Sequence, residues 1–403
     1  MKNLSIYIHI PFCVRKCLYC DFLSFPVSVG EFVKKDGCAL SDAMREWILS
    51  YVNLLQQEIK AFSAQYNKYQ VLSIFFGGGT PSLLPVGEVR QIMETIQRYY
   101  RVAEDAEITI EMNPDTVTQE KLQEYITVGM NRLSIGLQSA DDEELTRIGR
   151  IHDYESFINA YELSRKAGFH NINIDLMAAL PGQSVASYEL TLRKVTALAP
   201  EHISAYSLTL EEGTPLYGQR HKYCFPTEDE DREMYALTGE YLTSCGYHRY
   251  EISNYALDGY ECRHNKVYWQ RGNYVGFGLG ASSMVENIRW TNPVDRQQYQ
   301  NYVERLSVNN RLTGGYTVDR HNLTFHEQME EYMFLGLRMM CGVGMQEFTD
   351  EFGTQIGTVY GETVEKLCAQ DLLVQERGRI RLTDRGIDVS NYVMAQFLFD
   401  VIH

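Results

Sequence analysis

The 403-residue chain has no apolar run near the roughly 20 residues that a membrane-spanning helix needs, and it carries little positive charge. Lys and Arg together number 37 against 53 Asp and Glu, which gives a net charge of -16. This balance opposes nonspecific attraction to nucleic acid or anionic lipid, so we expect no nucleic-acid partner. Residues 4–10 are apolar, but the run is too short and too interrupted for a signal peptide. We therefore expect a soluble, cytoplasmic protein.

Cysteine is also scarce and unevenly spread. Six of the nine cysteines stand singly along the chain, unlike the dense disulfide framework of a small secreted domain. This use of cysteine is typical of a reducing compartment. The length allows two or three domains, and we predict a first domain at 1–230, an accessory region at 231–320 and a C-terminal domain at 321–403.

The other three cysteines lie close together near the start of the chain. Cys13, Cys17 and Cys20 have the spacing C-x3-C-x2-C with no obvious fourth ligand nearby. Three explanations fit this cluster of cysteines. The thiols are coincidental members of the core, or they form a zinc site completed by His9 or a distant residue, or they form an iron-sulfur site with one open coordination position. The intervening residues Val-Arg-Lys and Leu-Tyr do not form one buried face, so we favour the iron-sulfur site.

Short apolar runs alternate with longer amphipathic segments through the first half of the chain. The alternation predicts a parallel sheet, closed or partly closed into a barrel, because parallel neighbours need crossover helices. The predicted strands are 4–9, 71–76, 107–111, 132–136, 171–176 and 202–208. The predicted helices are 43–62, 86–100, 119–128, 154–167 and 185–198.

Residues capable of binding a ligand fall at or just after these strand ends. They are the cysteine loop, Gly77-Gly-Gly-Thr-Pro81, Glu111, Gln138 and Asp175. Singly, each is equally well explained as a turn, a solvated loop acid or a helix cap. Together, at one edge of a parallel sheet, they suit a zwitterionic amino acid joined to a nucleoside, which describes S-adenosylmethionine (SAM).

The cysteine motif, with the aromatic Tyr19 before its third cysteine, resembles the signature of the radical SAM superfamily. This resemblance implies that the three cysteines hold three irons of a [4Fe-4S] cluster whose fourth iron chelates SAM. It further implies one-electron cleavage of SAM to methionine and a 5'-deoxyadenosyl radical, with a reductant such as flavodoxin or ferredoxin. The SAM-binding positions that it implies are Tyr7, Tyr19, Gly78, Gly79, Thr80, Glu111, Gln138, Arg150 and Asp175.

The runs Tyr7-Ile-His-Ile-Pro-Phe-Cys13 and Asn173-Ile-Asp-Leu-Met-Ala-Ala-Leu-Pro-Gly182 extend the likeness to the oxygen-independent coproporphyrinogen oxidase group. The dehydrogenases of that group carry a further cysteine two residues after the third ligand, whereas this chain has Phe22 there. The dehydrogenases also have a longer segment before the first strand than this chain has. Both departures argue against decarboxylation of coproporphyrinogen, which is the alternative function. The HemW-type heme chaperones of the same group match better, whereas cleavage of SAM stays open.

The chaperone branch is also indicated by His264-Asn-Lys-Val-Tyr-Trp269, which resembles its H-N-x-x-Y-W motif. A neutral imidazole is a good axial ligand for heme iron, and the two aromatic residues offer flat apolar surface to a porphyrin. From residue types alone, His264 is more simply a hydrogen-bonded core histidine, and Cys262 is a rival ligand. The resemblance reverses that preference. It implies heme as a third ligand, heme-accepting apoproteins as partners, and peripheral contact with membrane proteins as a further expectation.

The last 80 or so residues change to helical patterning with a hairpin around Arg377-Gly378, which predicts a winged-helix-like domain. Residues 320–403 hold 7 Lys and Arg against 13 Asp and Glu, so we expect a lid or partner-docking domain and not a DNA-binding one. Arg377, Arg379, Arg381 and Arg385 are the local exception, suited to propionates or an acidic partner.

The glycine-rich run 276–283 predicts close backbone packing and not a dinucleotide loop. Residues 24–42, with Cys38, form an insertion of unassigned role.

Overall fold

The structure is a computed structural model that describes residues 1–27, 41–309 and 318–399. Cys38 and most of the insertion at 24–42 lie outside the described residues. No helix within the described ranges is long and apolar enough to cross a membrane.

The body of the molecule is a mixed sheet whose centre is parallel. Its strands, in chain order, are β1 (Lys2–Ile10), β4 (Tyr69–Gly78), β5 (Val102–Met112), β6 (Arg132–Gln138), β7 (Ile172–Ala178), β8 (His202–Ser207), β9 (His248–Glu251), β10 (Asn254–Ala256), β11 (Tyr274–Phe277), β12 (Ser282–Val285), β13 (Ile288–Thr291) and β14 (Val318–Asn322), while β2 (Phe12–Cys13) and β3 (Phe25–Pro26) form a separate short ladder. The order across the sheet is β14-β13-β12-β11-β1-β4-β5-β6-β7-β8-β10-β9. The run from β11 to β8 is parallel, and both edges are extended by antiparallel strands.

The predicted strand-helix alternation and the partly closed barrel are confirmed, because the hydrogen-bonded order has two free ends. The helices of the body are α1 (Asp42–Phe62), α2 (Glu88–Tyr99), α3 (Gln119–Thr127), α4 (Asp142–Arg147), α5 (Tyr154–Ala167), α6 (Val185–Thr196), α7 (Pro215–Gly218), α8 (Glu228–Ser244), α9 (Arg263–Trp269) and α10 (Arg296–Asn309). Several begin at a side-chain cap, as where the hydroxyls of Ser41 and Ser184 accept from backbone N–H groups. One face of each long helix packs on the sheet, and these faces share the main hydrophobic core.

The antiparallel edges are the part of the sheet that the sequence pattern does not predict. Strands β9 to β13 are only three or four residues long, and β9 and β13 carry charged residues. Such segments have no clear two-residue period, so they resemble turns in the sequence. The glycine-rich run does pack closely as expected, since a Cβ on Gly276 would lie 2.3 Å from the carbonyl oxygen of Ser282.

The C-terminal domain has its own hydrophobic core. Its elements are α11 (Phe325–Gly336), β15 (Val343–Gly344), α12 (Met345–Phe352), α13 (Ile356–Ala369), β16 (Leu373–Glu376), β17 (Arg379–Leu382), α14 (Asp384–Asp388) and α15 (Ser390–Ala395). The predicted hairpin is confirmed, with positive φ at both Arg377 and Gly378 in the turn. The three-domain boundaries stay a prediction.

Backbone hydrogen bonds and ion pairs join this domain to the body. Glu251 of β9 forms a β-bridge with Met339. Arg271, whose side chain is only 3% exposed, pairs with Glu331 and Glu351. The C-terminal domain is therefore held directly against the edge of the sheet and the end of α9.

Candidate cofactor site

A cavity of about 520 Å³ opens beside the carboxyl ends of the parallel strands. Both the cysteine loop and most of the residues predicted from the strand ends line it. Those residues are Cys13, Cys17, Cys20, Tyr19, Gly78, Gly79, Thr80, Glu111, Gln138, Arg150 and Asp175. Tyr7 and His264 do not line this cavity.

Backbone contacts on several sides hold the cysteine loop in place. The short β2–β3 ladder closes its base, pairing Phe12 with Phe25. Within the loop, the backbone of Leu18 donates to Ile148 and accepts from Leu216, at 3.0 and 2.8 Å. These bonds fix the chain path between the second and third cysteines, although the loop has no regular secondary structure there.

The three thiols face the cavity in different surroundings. Burial raises the pKa of the Cys20 thiol to about 11 and also raises the pKa of Cys13. The hydroxyl of Thr80 donates to Cys13 Sγ at 3.6 Å, and Arg150 Nη1 donates to Cys17 Sγ at 3.7 Å. Within the described residues, no three His, Cys, Asp or Glu side chains are already arranged to hold a metal ion. The loop thus supplies three thiols to one cavity without closing them into a complete ligand set.

Gly78 and Gly79, at the end of β4, bring the backbone against β1 and the start of the cysteine loop. Gly78 has φ +110°, which disfavours a side chain, and a Cβ there would lie 2.5 Å from the His9 ring. A Cβ on Gly79 would lie 2.6 Å from the carbonyl oxygen of Phe12. The backbone N–H groups of Gly79 and Thr80 donate to the carbonyls of Ile10 and Phe12 at 2.8 and 2.7 Å. Only glycine fits where the two segments meet.

Two buried carboxyl groups lie side by side in this part of the cavity. Burial, followed by the nearby Asp175, raises the pKa of Glu111 to about 8. Burial also raises the pKa of Asp175, although Asn173 and Ser134 donate to its oxygens at 2.8 and 3.1 Å. Asp175 lies inside β7, because that strand continues beyond its predicted end, but its side chain still reaches the cavity. Such a pair favours a ligand with a cationic group or several hydroxyl donors.

Gln138 and Arg150 shape the cavity beyond β6. Gln138 ends β6 with φ 73°, an unusual conformation for a residue other than glycine, and its side-chain oxygen accepts from the Tyr206 hydroxyl at 3.1 Å. Arg150 Nη2 donates to Asn113 Oδ1 at 2.7 Å and to the Gly136 carbonyl at 2.5 Å. The guanidinium therefore links the cysteine loop to the ends of β5 and β6.

His264 is a buried core residue in this structure. It is 1% exposed, and its ring stacks on Phe75 at 5.1 Å between centroids. Its Nδ1 lies 2.9 Å from Ser73 Oγ, and its Nε2 lies 2.9 Å from the Tyr268 hydroxyl. Burial and then the charge of Arg132 lower the pKa of His264 to about 3. The imidazole is neutral, as an axial ligand must be, but both nitrogens are engaged, so ligation of iron would require at least one hydrogen bond to break.

Helix α9 presents two different faces. The buried carboxylate of Glu107 accepts from the backbone N–H groups of Arg263 and His264 at 2.9 and 3.0 Å, which holds the start of the helix. His264 and Tyr268, four residues apart, point to the same side, whereas Asn265 and Trp269 line the 520 Å³ cavity.

Tyr268 instead lines a second cavity of about 370 Å³ that also includes Tyr7. Phe22, Gly78 and Glu111 border both cavities. Cys262, the rival heme ligand, is fully buried and its thiol donates to Glu107, so it lines neither.

The cavity also contains residues that the sequence analysis does not identify, among them Asn113, Ser134, Tyr206, Glu251, Asn254 and Arg338. Asn113 and Tyr206 lie at or directly after the ends of parallel strands, where the strand-end rule predicts ligand contacts, whereas Ser134 lies within β6. Glu251 and Asn254 come from short edge strands, and Arg338 comes from the C-terminal domain. No local sequence signal brings these three to the same cavity.

The chain matches two family models, the Radical SAM superfamily over residues 7–195 and the HemN C-terminal domain over residues 323–389. It is 33% identical to the heme chaperone HemW of Bacillus subtilis strain 168, covering 98% of this chain and 99% of that protein. The mouse protein named radical S-adenosyl methionine domain-containing protein 1, mitochondrial, is 32% identical over 98% of this chain and 87% of its own length.

Among solved structures, the coproporphyrinogen III oxidase HemN of Escherichia coli, described as a radical SAM enzyme, has a similar fold. The TM-score is 0.82 with 21% sequence identity, over 99% of this chain and 90% of that one. This likeness confirms the fold, including the C-terminal domain.

Proposed function

Because this chain belongs to the HemW family within the radical SAM superfamily, we propose that it is a cytoplasmic heme chaperone that delivers heme to apoproteins. It would bind a [4Fe-4S] cluster, SAM and heme, and take electrons from a flavodoxin- or ferredoxin-type reductant. Peripheral contact with membrane proteins would bring it to membrane-bound acceptors.

The observation that carries the proposal is the convergence of chemically matched groups in the 520 Å³ cavity. Cys13, Cys17 and Cys20 would hold three irons of the cluster, and three thiols fit a site that keeps one position open. Arg150 Nη1 donates to Cys17 Sγ and places positive charge beside this ligand. A reduced cluster together with SAM supplies one-electron cleavage of a carbon-sulfur bond.

The other cavity residues suit the two halves of SAM. Glycine at 78 and 79 lets this backbone pack against β1 and Phe12, and so places it at the edge of the cavity, where it would meet the amino-acid moiety. Glu111 and Asp175 would accept from ammonium or ribose hydroxyl groups, while Thr80, Gln138 and Tyr19 line the remaining surface. Tyr7 would contribute indirectly, from the adjoining cavity that shares Glu111.

Heme would contact α9, since this helix borders both cavities with aromatic residues. His264 remains the predicted axial ligand. For it to bind iron, its Nε2 would have to leave the hydroxyl of Tyr268, or its Nδ1 that of Ser73.

Two assays on one anaerobically reconstituted sample test the function. Hemin titration should give a saturating Soret change. Incubation with coproporphyrinogen III, SAM and a reductant should give no protoporphyrinogen. Conversion without saturable heme binding would replace the chaperone by the coproporphyrinogen dehydrogenase alternative.

A pair of variants tests the role of His264. If the imidazole ligates iron, His264→Ala should weaken heme binding and change the Soret position, whereas Tyr268→Phe should bind heme at least as well because it frees Nε2. If His264 is only a core residue, both variants should lower thermal stability, and the Soret position should stay that of the wild type.

A further inference from the structure

One wall of the 520 Å³ cavity is formed by Asn254, Asn265, Trp269 and Arg338, here called the arginine wall. These residues come from β10, from α9 and from the segment after α11. None of those segments supplies a cysteine or a residue assigned to SAM in the main cavity. The arginine wall is therefore a chemically separate part of the same cavity.

Three polar groups of the arginine wall have no hydrogen-bond partner although they are buried. They are Arg338 Nε, Trp269 Nε1 and Asn254 Oδ1. Asn254 as a whole is only 8% exposed. An unpaired buried polar group destabilises the folded protein, so two donors and one acceptor left open beside a cavity indicate a missing polar ligand.

The guanidinium of Arg338 is already held in position. It lies 4.2 Å from the centroid of the Trp269 ring, in a cation–π contact. Its backbone carbonyl accepts from Ile252 N at 3.1 Å, which ties it to the sheet edge. A side chain fixed in this way loses little further entropy when it binds an anion.

Glu251 does not satisfy this guanidinium. Their closest contact, between Arg338 Nη2 and Glu251 Oε2, is long at 3.4 Å. The other oxygen of Glu251 accepts from Ser253 N at 2.9 Å and from the Asn254 side chain. Arg338 thus keeps donors available, and the planar fork of an arginine matches a carboxylate.

The other cations around the cavity are differently placed. Arg150 is engaged by Asn113, Gly136 and Cys17. Lys16 donates to the carbonyl of Phe22, and Arg15 is exposed. In the C-terminal domain, Arg379 and Arg381 of the predicted basic cluster already pair with Glu347 and Glu376.

We propose that the arginine wall binds a carboxylate of the tetrapyrrole, a heme propionate, through Arg338 and the indole N–H of Trp269. Asn254 Oδ1 would accept a hydrogen bond from an ordered water or a protonated carboxyl. This inference rests on the proposed function and names the group by which heme is oriented. The amino-acid carboxylate of SAM is the competing source of the same chemistry.

The test compares hemin with hemin dimethyl ester, which lacks the carboxylates, in the full-length reconstituted protein. Wild type should bind hemin about tenfold more tightly than the ester, as expected for one charge-assisted contact. Arg338→Gln should lose most of that difference by weakening hemin alone. Arg338→Lys, which keeps the charge without the fork, should be intermediate. Arg98→Gln removes a positive charge from an exposed residue of α2, outside both cavities, and should leave both affinities unchanged.

Other outcomes would overturn the proposal. Equal binding of hemin and its ester by wild type would reject the propionate site, and so would wild-type hemin affinity in Arg338→Gln. Either result would leave the chaperone proposal standing. Weakened SAM binding with unchanged hemin binding assigns the arginine wall to SAM. Failure of wild type to bind hemin at all rejects both proposals. Should Arg338→Gln not fold, the ester comparison in wild type and the Arg338→Lys variant still decide.

Discussion

Glu58 is a buried carboxyl group, and replacing it with glutamine should change how stability depends on pH. It lies on α1 with no exposed surface and accepts from Gly278 N at 2.9 Å, Tyr299 Oη at 2.7 Å and Asn292 Nδ2 at 2.7 Å. Burial raises its pKa from 4.5 to about 7 in spite of these donors. The folded protein therefore holds this proton more tightly than the unfolded chain does.

The sign follows from that difference. A raised pKa in the folded state adds stability below the unfolded value of about 4.5, and this contribution is lost as the pH rises to about 7. At 1.36 kcal/mol per pH unit, the loss amounts to about 3 kcal/mol. Glutamine cannot ionise, so Glu58→Gln should be spared this loss. Asn292 Oδ1 has no partner and is available to accept from the new amide.

Urea unfolding at pH 5, 6, 7 and 8 measures the effect. Between pH 5 and 7, wild type should lose roughly 2 kcal/mol more than Glu58→Gln, because part of the total change falls outside this range. Glu46→Gln changes an exposed carboxyl on the same helix and should keep the wild-type dependence. Parallel curves for wild type and Glu58→Gln would show that Glu58 is ionised throughout and would refute the reasoning.

Three other changes have defined outcomes. Gly79→Ala should reduce iron incorporation, because its Cβ would lie 2.6 Å from the Phe12 carbonyl oxygen. Absorbance and iron content after reconstitution measure this effect. Gly218→Ala has nothing near its Cβ and should leave the iron content unchanged. Arg271→Ala should lower the free energy of unfolding by about 1–3 kcal/mol, since it leaves the buried Glu331 with only one of its two arginines. Glu111→Gln should weaken SAM binding about tenfold in calorimetry without changing iron content, and an unchanged affinity would remove Glu111 from the SAM site.

The parallel half of the fold could be predicted because its strands are apolar and its helices amphipathic. β5 is the instructive exception, since it begins at Val102 and not at the predicted 107. Glu104 and Asp105 are exposed there, so they hide the start of the strand from an apolar pattern. The antiparallel extension at β10 could not be predicted, because β10 pairs with β8, which lies about 50 residues earlier in the chain.

Some residues of the candidate site could also be predicted from the sequence, and others could not. The strand-end rule predicts that Glu111, Gln138 and Asp175 lie together, because parallel strands end at one edge, and they do line one cavity. Arg150 was identified only by resemblance, since it follows α4 and reaches the cavity through a long side chain. Arg338 was not identified, because it reaches the cavity from a different domain.

The H-N-x-x-Y-W segment illustrates what a motif leaves open. Its residues are adjacent in sequence, but a helix separates them into pairs four residues apart, His264 with Tyr268 and Asn265 with Trp269. The first pair closes a buried hydrogen-bonded cluster, and the second faces the cavity that also holds the cysteine loop. Loss of heme binding in a His264 variant therefore has two physical explanations, a lost ligand or a displaced helix that carries Trp269 away from Arg338. The Tyr268→Phe variant separates them, because it loosens the imidazole while leaving the Trp269 face of α9 in place.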